Sequence, residues 1–186
     1  MSRPRTFDQR LVVDAAMQAF WSGGLGGTSV DDLLQATGLS RSSLYNSFGN
    51  REGLLENAVE RYTDEQIAGL RRQFAERPLH EVLDALLLDA ATSNHDGRGC
   101  LLVNAVNELH ESADPAVGVV HDAFARLAGA LEQAIRDSAP EGVDAPQLCA
   151  ALMAAIAGLR TLQRAGMPLE QRQQAARSLA RALASG

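Results

Sequence analysis

The chain has 186 residues, a formal net charge of −6, and only 4% aromatic residues. This acidic balance argues against a protein that coats nucleic acid through bulk charge, although it leaves room for a small basic surface. Alanine and leucine dominate, which favours helices over sheets. The longest nearly unbroken apolar run, residues 148–159, is shorter than the roughly 18 residues of a membrane span. With no apolar signal segment at the N-terminus, we expect an all-α cytoplasmic protein with no membrane partner.

Helical periodicity begins near residue 8 and predicts a first helix over residues 8–22, which the glycines at 23–27 end. A short second helix over 30–36 and a third over 41–47 follow, joined by Thr37-Gly38-Leu39. Thr28 or Ser29 caps the second helix, Ser40 caps the third, and Asn50 caps a long fourth helix over 51–76.

Five more helices are predicted after Pro78. Gly97 and Gly99 separate the first two of them, and Asp-Pro or Asp-Ala-Pro starts open two others at Asp114 and Asp144. Their expected spans are 79–94, a stretch ending at 110, 115–138, 145–166 and 168–183. The expected fold is therefore all-α with about nine helices and no strand.

The second and third helices have the spacing of a helix-turn-helix, in which a glycine lets two helices meet at a steep angle. Their apolar residues, such as Leu33 and Leu44, face inward. The outward residues are short polar or cationic ones: Arg41, Ser42, Ser43 and Asn46. Arginine can bond guanine bidentately and asparagine can bond adenine, so this pattern predicts a recognition helix for the major groove of DNA.

The stretch from Thr28 to Leu55, TSVDDLLQATGLSRSSLYNSFGNREGLL, closely resembles the signature of the TetR family. Residues 15–21, AAMQAFW, resemble the first helix of that family. The likeness covers about the first third of the chain. It departs at Arg51, where lysine is usual, and at Asn46, where histidine is common, and both changes keep a hydrogen-bond donor.

The resemblance implies a helix-turn-helix DNA-binding domain at 1–50 and a helical effector-binding and dimerisation domain at 51–186. Bases and nearby phosphates would be contacted by Arg41, Ser42, Ser43 and Asn46. Phosphates would be held by Thr28, Ser29, Tyr45 and Arg51. Arg3 and Arg5 would reach the minor groove from an arm, or form a plain tail. Residues 1–62 hold six arginines and seven acidic residues, which predicts a modest salt dependence of binding to a palindromic double-stranded operator.

Two apolar stripes in the last two helices predict a homodimer with a four-helix interface. The expected interface residues are Leu148, Leu152, Ile156, Leu159, Gln163, Leu179 and Leu183. The alternative is that these stripes face the core of their own subunit. A dimer also suits a palindromic operator, because one recognition helix reads only a half-site.

The segment from Gly99 to Leu109 carries the candidate sensing residues Cys100, Asn104 and Asn107. Cys100 follows a glycine at a helix N-terminus, which favours thiolate, and the segment resembles a helix of TetR-family repressors that respond to electrophiles or oxidants. A small buried hydrophobe is the other interpretation of Cys100. The asparagines would bind an unidentified small-molecule effector, or bond neighbouring backbone in the core.

Cys100 and Cys149 are far apart and form no CxxC pair, so neither a disulfide framework nor a zinc module is expected. The four histidines lack metal-ligand spacing, and no nucleophile–base arrangement is readable. We therefore expect no metal site, no cofactor and no catalysis, since an enzyme using Cys100 would need a base that the sequence does not identify. The functional hypothesis is a repressor released by an effector or by modification of Cys100. The alternative is a helical ligand-binding or adaptor protein without DNA binding.

Overall fold

The computed structural model describes residues 7–92, 98–109 and 116–184. Within these ranges the chain forms nine α-helices and no strand, which confirms the predicted all-α fold. The first four helices are α1 (Gln9–Gly23), α2 (Val30–Thr37), α3 (Arg41–Phe48) and α4 (Arg51–Glu76). The other five are α5 (Leu79–Thr92), α6 (Leu101–Leu109), α7 (Ala116–Ser138), α8 (Ala145–Arg164) and α9 (Leu169–Ala184). The predicted Asp114-Pro115 start lies outside the described residues.

Side-chain caps fix several helix starts where the sequence places them. Ser29 accepts a hydrogen bond from the backbone N–H of Asp32, and Ser40 accepts one from Ser43. Asn50 accepts from the N–H of Gly53 at 2.7 Å, and Asp144 accepts from that of Gln147. Each bond satisfies one of the backbone donors that a helix N-terminus leaves without an intrahelical partner.

By packing, the chain divides into two compact units. Unit 1 comprises Met1–Thr63 and Asn104–Ala123. Its fully buried side chains include Phe20, Leu25, Leu33, Leu44, Leu54 and Leu55. Burying a leucine or phenylalanine of this kind stabilises the fold by about 1.5–3 kcal/mol, so the three short helices owe their stability to this shared core.

Unit 2 comprises Asp64–Val103 and Phe124–Gly186. In it α5 packs against both α8 and α9, and those two helices pack against each other. The shared core holds Val82, Leu83, Leu87, Ile135 and Leu152, all almost completely buried. The functional boundary predicted between residues 50 and 51 does not coincide with this division by packing, since the first half of α4 belongs to unit 1. A boundary by role stays a prediction.

One described helix, α8, is long and apolar enough to cross a membrane by length and composition. Its environment in unit 2 is that of a core helix, because it packs against α5 and α9. It also buries Arg160, which donates a hydrogen bond to Asp89 at 2.9 Å. Packing against two neighbouring helices accounts for the apolar composition of this helix.

Candidate nucleic-acid interface

The turn between α2 and α3 is built by Gly38, which lies in the left-handed region at φ 68°. Its backbone N–H donates to the carbonyl of Leu34 at 3.0 Å and so closes the end of α2. A side chain at this φ would be strained, which is why glycine suits the position. Leu33 of α2 and Leu44 of α3 are fully buried on either side of the turn. The two helices are therefore held as a helix-turn-helix.

The outward face of α3 carries the polar side chains expected of a recognition helix. Arg41, Ser42, Tyr45 and Asn46 are exposed, and Ser43 is half-buried. Tyr45 keeps 44% of its surface accessible. Because its hydroxyl can donate and its ring can cover a sugar or base methyl, this exposure fits contact with a large polar partner.

Arg41 is held by an acid in the unbound protein. Its Nη2 lies 2.6 Å from Oδ1 of Asp31 in α2, and both side chains are largely exposed. An exposed ion pair of this kind contributes only about 0.2–1 kcal/mol. Arg41 can therefore leave Asp31 for a base or a phosphate at small cost.

Ser29 is committed to the cap of α2. Its backbone N–H and its hydroxyl both donate to Asp32 Oδ2, at 2.8 and 2.6 Å. These hydrogen bonds lower the pKa of Asp32 below its ordinary value, and the bond from the hydroxyl has the larger effect. Ser29 thus caps α2 in the unbound protein, and its contact with a phosphate stays a prediction.

Arg51 and Thr28 point into unit 1, which revises the expectation that they hold phosphates. Nε of Arg51 donates to the carbonyl of Thr28 at 2.8 Å, and its Nη2 donates to that of Leu25. The guanidinium lies 5.3 Å from the ring centre of Phe20, and only 16% of the side chain is exposed. Thr28 is buried and donates to the carbonyl of Gly24 at 2.7 Å. Both residues fasten the loop between α1 and α2.

Glu108, near the end of α6, contacts the same loop and was not identified from the sequence. Its Oε2 accepts a hydrogen bond from the backbone N–H of Leu25 at 2.8 Å. At Gly24, whose φ is +79°, an added Cβ would lie 2.9 Å from that carboxylate oxygen. A side chain here would be strained at this φ and would displace the Glu108 carboxylate, so glycine suits the position. Leu25 thus connects two helices: its N–H donates to Glu108 of α6, and its carbonyl accepts from Arg51 of α4.

The candidate sensing residues differ in their surroundings. Cys100 is half-buried and directly precedes α6, following Gly99 at φ 70°. Asn104 is 8% exposed, whereas Asn107 is exposed, so α6 does not bury both asparagines. Cys149 is buried in unit 2, where burial and then the charge of Glu132 raise its thiol pKa. Such an environment is that of a cysteine packed as a small apolar side chain.

The predicted interface residues are divided between core and surface. Leu148, Leu152 and Leu159 lie in the core of their own subunit, with Leu152 at 0% exposure. The interface prediction is therefore revised for these three leucines, since the buried face of α8 is the one that packs on α5 and α9. Ile156, Gln163, Leu179 and Leu183 are half-buried. The exposed face of α8 instead carries Ala150, Ala154 and Gly158, spaced four residues apart.

Residues 12–58 match the model of the bacterial regulatory proteins of the tetR family. The repressor ComR of Escherichia coli K12 is 29% identical over 184 residues, which cover 94% of this chain and 88% of ComR. BdcR, another repressor of Escherichia coli K12, is 26% identical over 186 residues, covering 86% of this chain and 93% of BdcR. Residues 12–58 thus have the sequence of the tetR-family regulatory region, and the chain is similar to two repressors along most of its length.

Solved structures agree with this assignment. A cysteine-substituted form of the TetR-family regulator CifR, complexed with a 26-base-pair operator, superposes with a TM-score of 0.79 at 25% identity. The match covers 97% of this chain and 99% of the CifR chain. The chain is thus similar over nearly its whole length, in sequence and in fold, to transcriptional regulators that bind DNA. Arg3 and Arg5, expected in a minor-groove arm, lie outside the described residues.

Proposed function

We propose that this regulator is a cytoplasmic repressor that binds a palindromic operator as a homodimer and is released by an effector or by modification of Cys100. The observation that carries the proposal is the exposed face of α3, where Arg41, Tyr45 and Asn46 stand on a rigidly capped helix. The names of ComR and BdcR as repressors, and the operator bound to CifR, support the same function.

The revised contact set for DNA is the exposed part of α3. Arg41, Ser42 and Asn46 would contact base edges, with Ser43 and Tyr45 on the adjacent phosphates. Thr28, Ser29 and Arg51 would act from within unit 1, by holding the ends of α2 and α4. Because few exposed cations remain in this set, salt dependence should be shallow.

Fluorescence anisotropy with labelled DNA from upstream of the protein's own gene tests operator binding. We expect saturation at two subunits per palindrome and much weaker binding to a scrambled duplex of equal length. Equal affinity for both duplexes, after unbiased selection for a preferred site has also failed, would contradict the proposal. It would favour a helical adaptor that no longer reads DNA.

The proposed dimer face is the exposed small-residue stripe of α8. Ala150, Ala154 and Gly158 let a second copy of α8 approach closely, and half-buried Ile156 would be covered at its edge. Two recognition helices would then sit in successive major grooves, about 34–36 Å apart. Ala154→Arg should yield monomers in analytical ultracentrifugation. Gln174→Arg, which changes an exposed residue of α9, should leave the dimer intact. Dimeric Ala154→Arg would place the interface elsewhere.

The conformational change that releases the protein from its operator would pass along α6. Cys100 directly precedes this helix, and Asn104 is buried in it. Glu108 accepts a hydrogen bond from the loop between α1 and α2. A shift of α6 would therefore pull on Leu25 and, through its carbonyl, on Arg51. A coupling of about 1–3 kcal/mol changes operator affinity about 5- to 150-fold.

N-ethylmaleimide provides a test of that route. In the wild type, modification should weaken operator binding, and Cys100→Ser should abolish the effect. Glu108→Ala should reduce the effect although Cys100 is still modified, whereas Glu60→Ala, an exposed acid of α4, should leave it unchanged. An unaltered response in Glu108→Ala would exclude α6 as the connection.

A further inference from the structure

A cleft of about 500 Å³ lies in unit 2 at the turn between α8 and α9. Its walls include Thr92 at the end of α5, Arg164 at the end of α8 and Arg172 in the first turns of α9. Met167 and Leu169 supply an apolar wall. Among the described residues that line the cleft there are two arginines and no carboxylate. An excess of positive charge here contrasts with the net charge of −6 of the whole chain.

Arg172 has donors that the described protein leaves without an acceptor. Its Nε and Nη1 are both buried and have no hydrogen-bond partner. Buried polar groups in folded proteins almost always have a partner, and a charged donor without one is especially unfavourable. An acceptor from outside the chain is therefore the expected completion of this site.

Arg160 of α8 lies near the cleft without lining it. It lies one helical turn before Arg164 and is only 8% exposed. Its Nη2 donates to Asp89 at 2.9 Å, while its Nε and Nη1 have no partner. Asp89 is itself half-exposed, with 55% of its side chain accessible. The charge of Arg160 is thus paired with Asp89, and the arginines that line the cleft are Arg164 and Arg172.

The backbone at the turn favours an anion as well. Gly166, at φ +81°, reverses the chain after α8, and no atom lies within 4 Å of a Cβ built on it. Leu169, which lines the cleft, is the first residue of α9. The N-terminus of a helix carries a partial positive charge that complements a bound anion.

We propose that this cleft binds a small organic carboxylate. The carboxylate would accept hydrogen bonds from Arg172 and Arg164, and the apolar part would lie against Met167 and Leu169. The cleft is separate from the candidate sensing residues of α6, so the inference goes beyond the proposed function. It stands whether or not Cys100 senses anything.

Isothermal titration calorimetry tests the site with hexanoate as the probe, and with hexanamide and inorganic phosphate as comparisons. We expect hexanoate to bind, hexanamide to bind at least about tenfold more weakly because it lacks the charge, and phosphate to bind more weakly than hexanoate because it lacks the apolar part. Hexanamide binding as tightly as hexanoate would show an apolar groove rather than an anion site. Phosphate binding as tightly as hexanoate would remove the apolar part of the proposal.

Arg172→Gln and Arg177→Gln form a matched pair, since each removes one arginine of α9 and only Arg172 lines the cleft. Arg172→Gln should weaken hexanoate binding at least about tenfold, and Arg177→Gln should leave it unchanged. Equal losses in both variants would indicate general charge attraction and overturn the site. Absence of hexanoate binding to the wild type would also overturn the site. A changed oligomeric state in Arg172→Gln alone would overturn it as well, because the guanidinium would then belong to a contact between subunits.

Discussion

Replacement of Arg51 by alanine separates a structural role of this residue from a DNA-contacting one. The guanidinium donates hydrogen bonds to the carbonyls of Thr28 and Leu25, and it lies 5.3 Å from the centre of the Phe20 ring. Alanine removes these interactions and leaves two carbonyl groups short of a donor. Hydrogen bonds from a charged donor contribute about 1.5–3 kcal/mol each, so the expected loss in the free energy of unfolding is about 3–6 kcal/mol.

The effect can be measured in unit 1 alone. The chain has one tryptophan, and Trp21 packs edge-to-face on Tyr62 with ring centres 5.3 Å apart. Tryptophan fluorescence therefore reports the unfolding of unit 1. For a chain of this size, each kcal/mol corresponds to a shift of roughly 2–4 °C in the midpoint temperature. We expect Arg51→Ala to lower the midpoint by at least roughly 6 °C.

Tyr45→Ala is the matched control, because Tyr45 is exposed and belongs to the proposed DNA-contact set. It should weaken operator binding and leave the tryptophan midpoint within about 2 °C of the wild type, as surface substitutions usually do. The reasoning fails if Arg51→Ala keeps the wild-type midpoint and loses operator affinity. That result would return Arg51 to the phosphate-contacting set that the sequence resemblance implied.

Two further predictions concern charge and thiol chemistry. Asp31→Asn frees Arg41 from its ion pair. It should tighten operator binding, measured by anisotropy at low salt, about two- to fivefold. An equal gain from Glu56→Gln, which removes an exposed acid of α4, would show that the net charge and not the ion pair is responsible. Because the pKa of the buried Cys149 thiol is raised, thiolate forms there only at higher pH than in a free thiol. Maleimide labelling at pH 8, read by mass spectrometry of peptides, should therefore modify Cys100 before Cys149, and the reverse order would contradict these environments.

Local sequence signals predicted most of the fold. Helix starts follow from caps such as Ser29, Ser40 and Asp144, because a capping hydrogen bond joins residues only two or three positions apart. The turn of the helix-turn-helix follows from Gly38, since its left-handed conformation is read from the residue type. The likeness of the first third of the chain to a known family then predicted a DNA-binding regulator.

What the sequence could not predict depends on contacts between distant residues. Glu108 and Leu25 are 83 positions apart, and nothing in either segment indicates their hydrogen bond. Arg51 looks like a surface cation from its place at a helix start, but the carbonyl groups that bind it belong to another loop. On α8, apolar periodicity identifies one face without saying what covers it. The sequence therefore left open whether Leu152 faces a partner subunit or the core of its own subunit, where the structure places it.

The affinities of Asn46→Ala for operator DNA and for scrambled DNA test most directly whether α3 reads bases. Asn46 is exposed on α3, and a contact of its amide to a base edge is worth about 1–3 kcal/mol of discrimination. Anisotropy should show operator affinity reduced about 5- to 150-fold, with affinity for the scrambled duplex unchanged. Equal losses on both duplexes, or no loss on either, would contradict base reading by this helix.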